Sequence, residues 1–138
     1  DYLTGFWERF PALKERSLFL ANLADKPALY QESAKAKIFA LPSAWEGGTP
    51  NVIAEALYAG DAIAITKIDE YADATDCGRC GMAADIGDTE GFAGILLRLC
   101  QREDLEQLCS RAHAYAKETY DMEKITARLY YMLFGKEQ

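Results

Sequence analysis

The sequence predicts an α/β fold: one parallel sheet with helices on both faces. Three observations carry this. The runs SLFLA (17–21), KIFAL (37–41) and AIAIT (62–66) are short and apolar almost throughout, the pattern of strands buried on both faces. Helix-patterned segments alternate with them, and that alternation makes the strands parallel. Proline and glycine then fall where a helix starts or stops, at Pro27, Pro50 and Gly60.

Taken in order, YLTGFWERFPALKER (2–16) has apolar residues at 3, 6, 7, 10 and 13, a helical spacing that Pro11 ends or kinks. SLFLA reads as the first strand. KPALYQESAKA (26–36) reads as a helix with Pro27 in its first turn, where proline is tolerated. KIFAL is the second strand. PNVIAEALYAG (50–60) is a helix with Thr49 as N-cap, Pro50 at the first helical position and Gly60 as the stop. AIAIT is the third strand and GMAA (81–84) a fourth candidate. DTEGFAGILLRLCQ (88–101), EDLEQLCSRAHAYAKETY (103–120) and DMEKITARLYYMLF (121–134) all carry helical patterns.

The chain has 138 residues, half of them hydrophobic and 27% charged, which suits one globular domain with a core. A formal net charge of −7 argues against nucleic-acid binding, which runs on clustered Lys and Arg. It does not argue against one small anion, because backbone amides at a helix start hold phosphate without side-chain charge. No apolar run reaches the ~20 residues of a membrane span, and no signal peptide is recognisable in DYLTGFWERF. The expectation is therefore a cytoplasmic chain whose four cysteines are reduced thiols. Only three or four strands are visible, where a doubly wound sheet has about five or six. With no initial Met, the chain reads as a piece of a longer protein whose sheet lacks its front strands.

The stretch LPSAWEGGTPNVIAEALYAG (41–60) is the candidate site. In a parallel α/β sheet, ligands bind at the carboxyl ends of the strands, where loops enter helices. Gly47 and Gly48 let the backbone approach a ligand closely. Amides from Thr49 to Asn51 lack partners at the helix start, and the helix dipole adds roughly half a positive charge there. Glu55 lies four residues after Asn51 on the same face, flanking the apolar stripe of Val52, Ile53, Ala56 and Leu57. Two readings stand open on spacing alone. Glu46 and Glu55 are either surface carboxylates near a helix N-terminus, or acceptors for a ligand rich in hydroxyls and phosphate.

AKIFALPSAWEGGTPNVIAEALYAGDAIAIT resembles the nucleotide-sugar-binding half of family-4 retaining glycosyltransferases. The shared pattern is strand, Pro-Ser, aromatic, Glu-Gly, Pro-Asn, a helix with a second Glu, a small-residue Gly turn and another strand. LFLANLADKPALYQESAKA looks like the family's strand, base-binding loop and following helix. GDTEGFAGILLRLCQREDLEQLCSRAHAYAKETYDMEKI looks like its closing helices. The resemblance covers nearly everything beyond about residue 14. It implies a Rossmann-like C-terminal lobe of a GT-B fold, with residues 1–138 a single donor-binding domain truncated at its N-terminal side. The implied activity is transfer of a hexose-type sugar from a nucleotide-diphosphate sugar to a glycan or lipid-linked acceptor. The implied partner is the N-terminal acceptor domain of the same full-length chain, which would also make any membrane contact at the inner face. The donor is a substrate, so no cofactor and no catalytic metal are implied.

By position, the resemblance assigns Glu46 to the donor sugar as the catalytic residue and Glu55 to the ribose hydroxyls. Gly47, Gly48, Thr49, Pro50 and Asn51 hold sugar oxygens and diphosphate, and the Leu23 to Asp25 loop lies beside the base. Here GGTPNVIA puts eight residues between the glutamates, one more than the family's usual spacing, so the glycine turn must absorb an extra residue. The family's basic pair for the diphosphate and its acceptor-domain histidine lie outside this sequence, so the fragment alone is expected to bind donor weakly and to catalyse nothing. A non-catalytic sugar or nucleotide binder and a nucleotide-sugar epimerase are the alternatives.

Other clusters have two readings each. Cys77 and Cys80 in DCGRCG, with Cys109 and His113 four apart on a helix, have the ligand types of a zinc site. They also suit a redox pair, or simply small buried thiols and a surface histidine. Phe6, Trp7 and Phe10 form either a sugar-stacking platform or a packing stripe. LYYML (129–133) is short and lacks a basic flank, so it reads as a packing helix rather than a membrane anchor. Asp69, Glu70 and Asp73 read as a solvated acidic loop rather than a metal site.

Overall fold

The computed structural model describes residues 2–18, 20, 25–48, 50–69 and 71–135. Their order is α1 (Tyr2–Arg9), α2 (Pro11–Lys14), α3 (Lys26–Ser33), β1 (Ile38–Leu41), α4 (Asn51–Ala59), β2 (Ala62–Thr66), α5 (Tyr71–Ala74), β3 (Gly81–Ala84), α6 (Thr89–Cys100), α7 (Leu105–Thr119) and α8 (Met122–Phe134). The three strands form one parallel sheet in the order β1-β2-β3. Ile38 pairs with Ala62 and Leu41 with Ile65, while Ile63 pairs with Gly81 and Thr66 with Ala84.

The strand β2 is buried at every position, and its alternation builds two cores. Ile63 and Ile65 join Ile53, Ala56 and Leu57 of α4 and Ala112 and Ala116 of α7 on one face. Ala62 and Ala64 meet Phe92, Ile95 and Leu99 of α6 and Leu108 of α7 on the other. Each fully buried Ile or Leu contributes roughly 1.5–3 kcal/mol, so the helix–sheet–helix layering rests on these few side chains.

Local signals set several helix ends. The Asp88 carboxylate accepts from Gly91 N (2.8 Å) at the start of α6, and Asp121 accepts from Glu123 N and Lys124 N before α8, as N-caps do. The left-handed Gly60 (φ 90°) closes α4. Pro11 breaks the first helical segment in two, and its aromatics pack on one another, with Phe6 5.1 Å from Trp7 and 5.2 Å from Phe10 between ring centroids.

Two expectations shift. Pro50 stands at the N-cap of α4 with φ −63° and ψ 140°, one residue earlier than predicted, while Thr49 lies outside the described residues. The run SLFLA is not a strand where it is described. Ser17 donates to the Leu13 carbonyl and extends the turn after α2, and Leu18 and Leu20 are exposed. A strand needs a neighbour for its ladder, and β1 is hydrogen-bonded only to β2 among the described residues. Phe19 and Ala21 lie outside the described residues. The short helix α5 was not foreseen. Helix α8 buries none of its residues and exposes Ile125, Leu129, Met132 and Leu133. No helix among the described residues is long and apolar enough to cross a membrane.

Asp61, between α4 and β2, is buried, and neither carboxylate oxygen has a partner. Its backbone N–H is held by the Ala56 carbonyl (2.9 Å), so the side chain is committed to the interior. Burial pushes the carboxyl up to about 6. Because the folded value exceeds the unfolded one, the fold carries no charge penalty below about pH 4. The penalty grows through the window from there to about pH 6 and is complete above it. Asp61→Asn should therefore stabilise the domain by roughly 1–3 kcal/mol at pH 7.5 and by much less at pH 4. Urea unfolding at the two pH values checks this, and an equal effect at both would refute it.

Candidate functional site

Strand connectivity places the loop after β1, the starts of α3 and α4, and the residues after β2 and β3 at the carboxyl edge of the sheet. The loop spanning 42–50 is tied to the sheet by a short chain of hydrogen bonds. Thr66, buried at the end of β2, donates its hydroxyl to the Ser43 carbonyl. The Ser43 hydroxyl in turn donates to Glu46 Oε1 at 2.7 Å. Glu46 is half-buried, whereas its neighbour Trp45 is 78% exposed. Gly48 takes φ 115°, a conformation that L side chains rarely adopt, and the turn bends there into Pro50 and α4.

Asn51 begins α4 exposed, and no side chain caps that helix among the described residues. The Ile53 amide donates to the Pro50 carbonyl (2.9 Å), and the amides of Asn51 and Val52 before it are the ones a ligand could meet. One turn further, Glu55 points toward α3. Its Oε1 accepts from the Tyr30 hydroxyl (3.4 Å) and lies 3.8 Å from Lys26 Nζ. A groove of about 440 Å³ opens beside it, lined by Tyr30, Ala34, Glu55, Tyr58 and Ala59. Asp25 is exposed at the N-cap of α3, its side chain making no cap bond, and Leu23 lies outside the described residues. At the same edge Lys67 pairs with Asp85 at 2.7 Å, and that contact raises the lysine pKa.

The structure therefore brings Glu46, Gly47, Gly48, Pro50, Asn51, Glu55 and Asp25 to one edge. Sequence reasoning missed Ser43, Thr66, Tyr30 and Lys26, which hold the two glutamates. The signal for Ser43 was its place three residues before Glu46 in the Pro-Ser turn. Tyr30 and Lys26 had none, because their partner is more than twenty residues away.

The cysteine and histidine set does not come together as a metal site among the described residues, and Glu70 lies outside them. Among the described residues no group of three or more His, Cys, Asp and Glu side chains could hold a metal ion. Cys77 is exposed and Cys80 buried. Burial, with Asp76 beside it, pushes the Cys80 thiol up to about 11, far from the thiolate that redox or metal chemistry needs. Cys109 donates to the Lys37 carbonyl, and His113 Nδ1 lies 2.6 Å from the Tyr58 carbonyl. Asp76 and Cys77 both have left-handed φ, 50° and 52°. The turn is held by Cys77 N bonded to the Ala72 carbonyl (2.6 Å) and by Gly78 N bonded to Thr75 Oγ1.

Residues 5–102 match the family model described as glycosyl transferases group 1. The chain belongs to that family, as an α/β domain with the Rossmann-like parallel sheet its sequence foretold. No curated protein matches it.

The anchoring chain has a testable consequence. Thr66→Val keeps the shape of the side chain but removes the donor to the buried loop carbonyl. It should cost about 1–2 kcal/mol of stability and raise amide exchange in residues 43–48. Denaturant unfolding and hydrogen exchange check both; unchanged exchange in the loop would show that Ser43 is held by something else.

Proposed function

We propose that this domain is the donor-binding half of a retaining glycosyltransferase that uses a nucleotide-diphosphate sugar. The observation that carries the reading is the Trp45-Glu46-Gly47-Gly48 turn running through Pro50-Asn51 into a helix that bears Glu55. That block sits at the carboxyl edge of a parallel sheet, in a member of the group 1 glycosyltransferases.

In this reading the ribose hydroxyls donate to the Glu55 carboxylate, which accepts two donors well. The uncapped amides around Asn51 and the positive end of α4 receive the diphosphate. Leu23 and Asp25 border the base. The Glu46 carboxylate faces the sugar. During transfer the bond from the anomeric carbon to the diphosphate oxygen breaks, the acceptor oxygen bonds to the same carbon, and the acceptor's proton passes to the departing diphosphate. Positive charge develops on the ring meanwhile, and a fixed carboxylate stabilises it more than it stabilises the ground state. Gly47, Gly48 and Thr49 contribute backbone where the ligand comes close. The acceptor, a glycan or lipid-linked molecule, would be bound by an N-terminal domain of the full-length chain.

The two glutamates have separable tests. Glu55→Gln should weaken binding of the free nucleoside diphosphate by ~1–3 kcal/mol, the scale of a lost charged hydrogen bond, as read by calorimetry. Unchanged affinity counts against the ribose role. In the full-length protein, Glu46→Ala should lower turnover at least ~100-fold with nucleotide affinity near wild type, since the interaction is made chiefly in the transition state. Activity within a few-fold of wild type would make Glu46 a surface carboxylate.

A further inference from the structure

We infer that Tyr30 is a positioning residue for Glu55, fixing which carboxylate oxygen meets the ligand and thereby making the site read ribose hydroxyls. The inference rests on the donor-binding reading above and adds a residue to it.

Both contacts to Glu55 fall on the same atom. The Tyr30 hydroxyl donates to Oε1, and Lys26 Nζ faces Oε1. Among the described residues Oε2 has no partner, and the side chain is 30% exposed. The three residues come from two helices that pack together and start at the same edge of the sheet. Tyr30 stands one turn into α3, and Glu55 one turn into α4. Glutamate has three rotatable bonds, and an unrestrained carboxylate on a helix surface samples many orientations. A phenol hydroxyl 3.4 Å from Oε1 biases the carboxylate toward one orientation and leaves Oε2 for a ligand. The Tyr30 ring also lines the groove of about 440 Å³ with Tyr58, Ala34 and Ala59. Lys26 is 73% exposed and 3.8 Å away, so its ion pair is screened by solvent. A vicinal diol can then donate to Oε2 and share Oε1 from the side that Tyr30 leaves open, without first ordering the acid.

The test uses the full-length protein with UDP, ADP and GDP, each beside its 2′,3′-dideoxy form, in ligand-observed NMR titrations. Wild type should prefer the ribose form of whichever nucleotide binds. Tyr30→Phe keeps the ring in the groove and removes only the donor. It should weaken the ribose form about threefold to tenfold, the range of one solvent-exposed hydrogen bond, and leave the dideoxy form unchanged. In a Glu55→Gln background the same substitution should have little further effect, because the coupled partner is gone. Equal losses for both forms would mean that Tyr30 only packs, and no loss for either would mean that it has no role; both overturn the inference while leaving the Glu55 reading intact. A wild-type chain that binds ribose and dideoxy forms equally, or binds none of them, would overturn the Glu55 reading and this inference with it.

Discussion

The structure depends on the complete burial of β2. Five residues, Ala62 to Thr66, are covered on both faces and hydrogen-bonded on both edges. The alternation of isoleucine and alanine within them decides how each helix layer sits. The isoleucines reach into the layer of α4 and the later part of α7. The alanines leave space that Phe92, Ile95 and Leu99 of α6 fill from the other side. Close packing of this kind leaves little room for a helix to slide, so the ends of the helices are as well placed as the strand itself.

That constraint is passed to the site through one side chain. Thr66 is the last residue of β2, and its buried hydroxyl donates to the Ser43 carbonyl. A loop that would otherwise be held only at its ends is thus pinned near its start, and Glu46 is reached through the Ser43 hydroxyl. The second glutamate is placed differently, by a helix–helix contact. Since α4 is fixed by the core and α3 packs on α4, the pair Tyr30–Glu55 inherits the precision of the sheet at one remove.

The edge opposite the site carries the costs. Asp61 has an unpartnered buried carboxylate, and the turn before β3 holds two successive non-glycine residues in the left-handed region. Unpaired buried groups and strained backbone oppose folding. Here both sit where β2 and β3 begin, at the amino end of the sheet, and the fold carries them because the central strand is so well covered. The net charge of −7 is balanced at the candidate site by geometry more than by bases. Lys26 and Lys67 are each paired with a carboxylate, which leaves helix termini and amides as the groups an anion would meet.

The sequence by itself determined the parallel α/β class, the three strands that form and nearly every helix, because these follow from local signals. Continuous apolar runs, N-cap acids and the stop at Gly60 act over a few residues. It also singled out the candidate stretch, since the glycine turn and the helix with the second carboxylate are contiguous in the chain. What it could not decide was whether SLFLA becomes a strand, because a ladder needs a neighbour that no local pattern supplies. Nor could it show that Asp61 points inward, that Thr66 holds Ser43, or that Tyr30 and Lys26 meet Glu55. Those relations span 23 residues between Ser43 and Thr66 and 25 between Tyr30 and Glu55. Only the packing of helices on the buried strand brings such distant groups within hydrogen-bond reach.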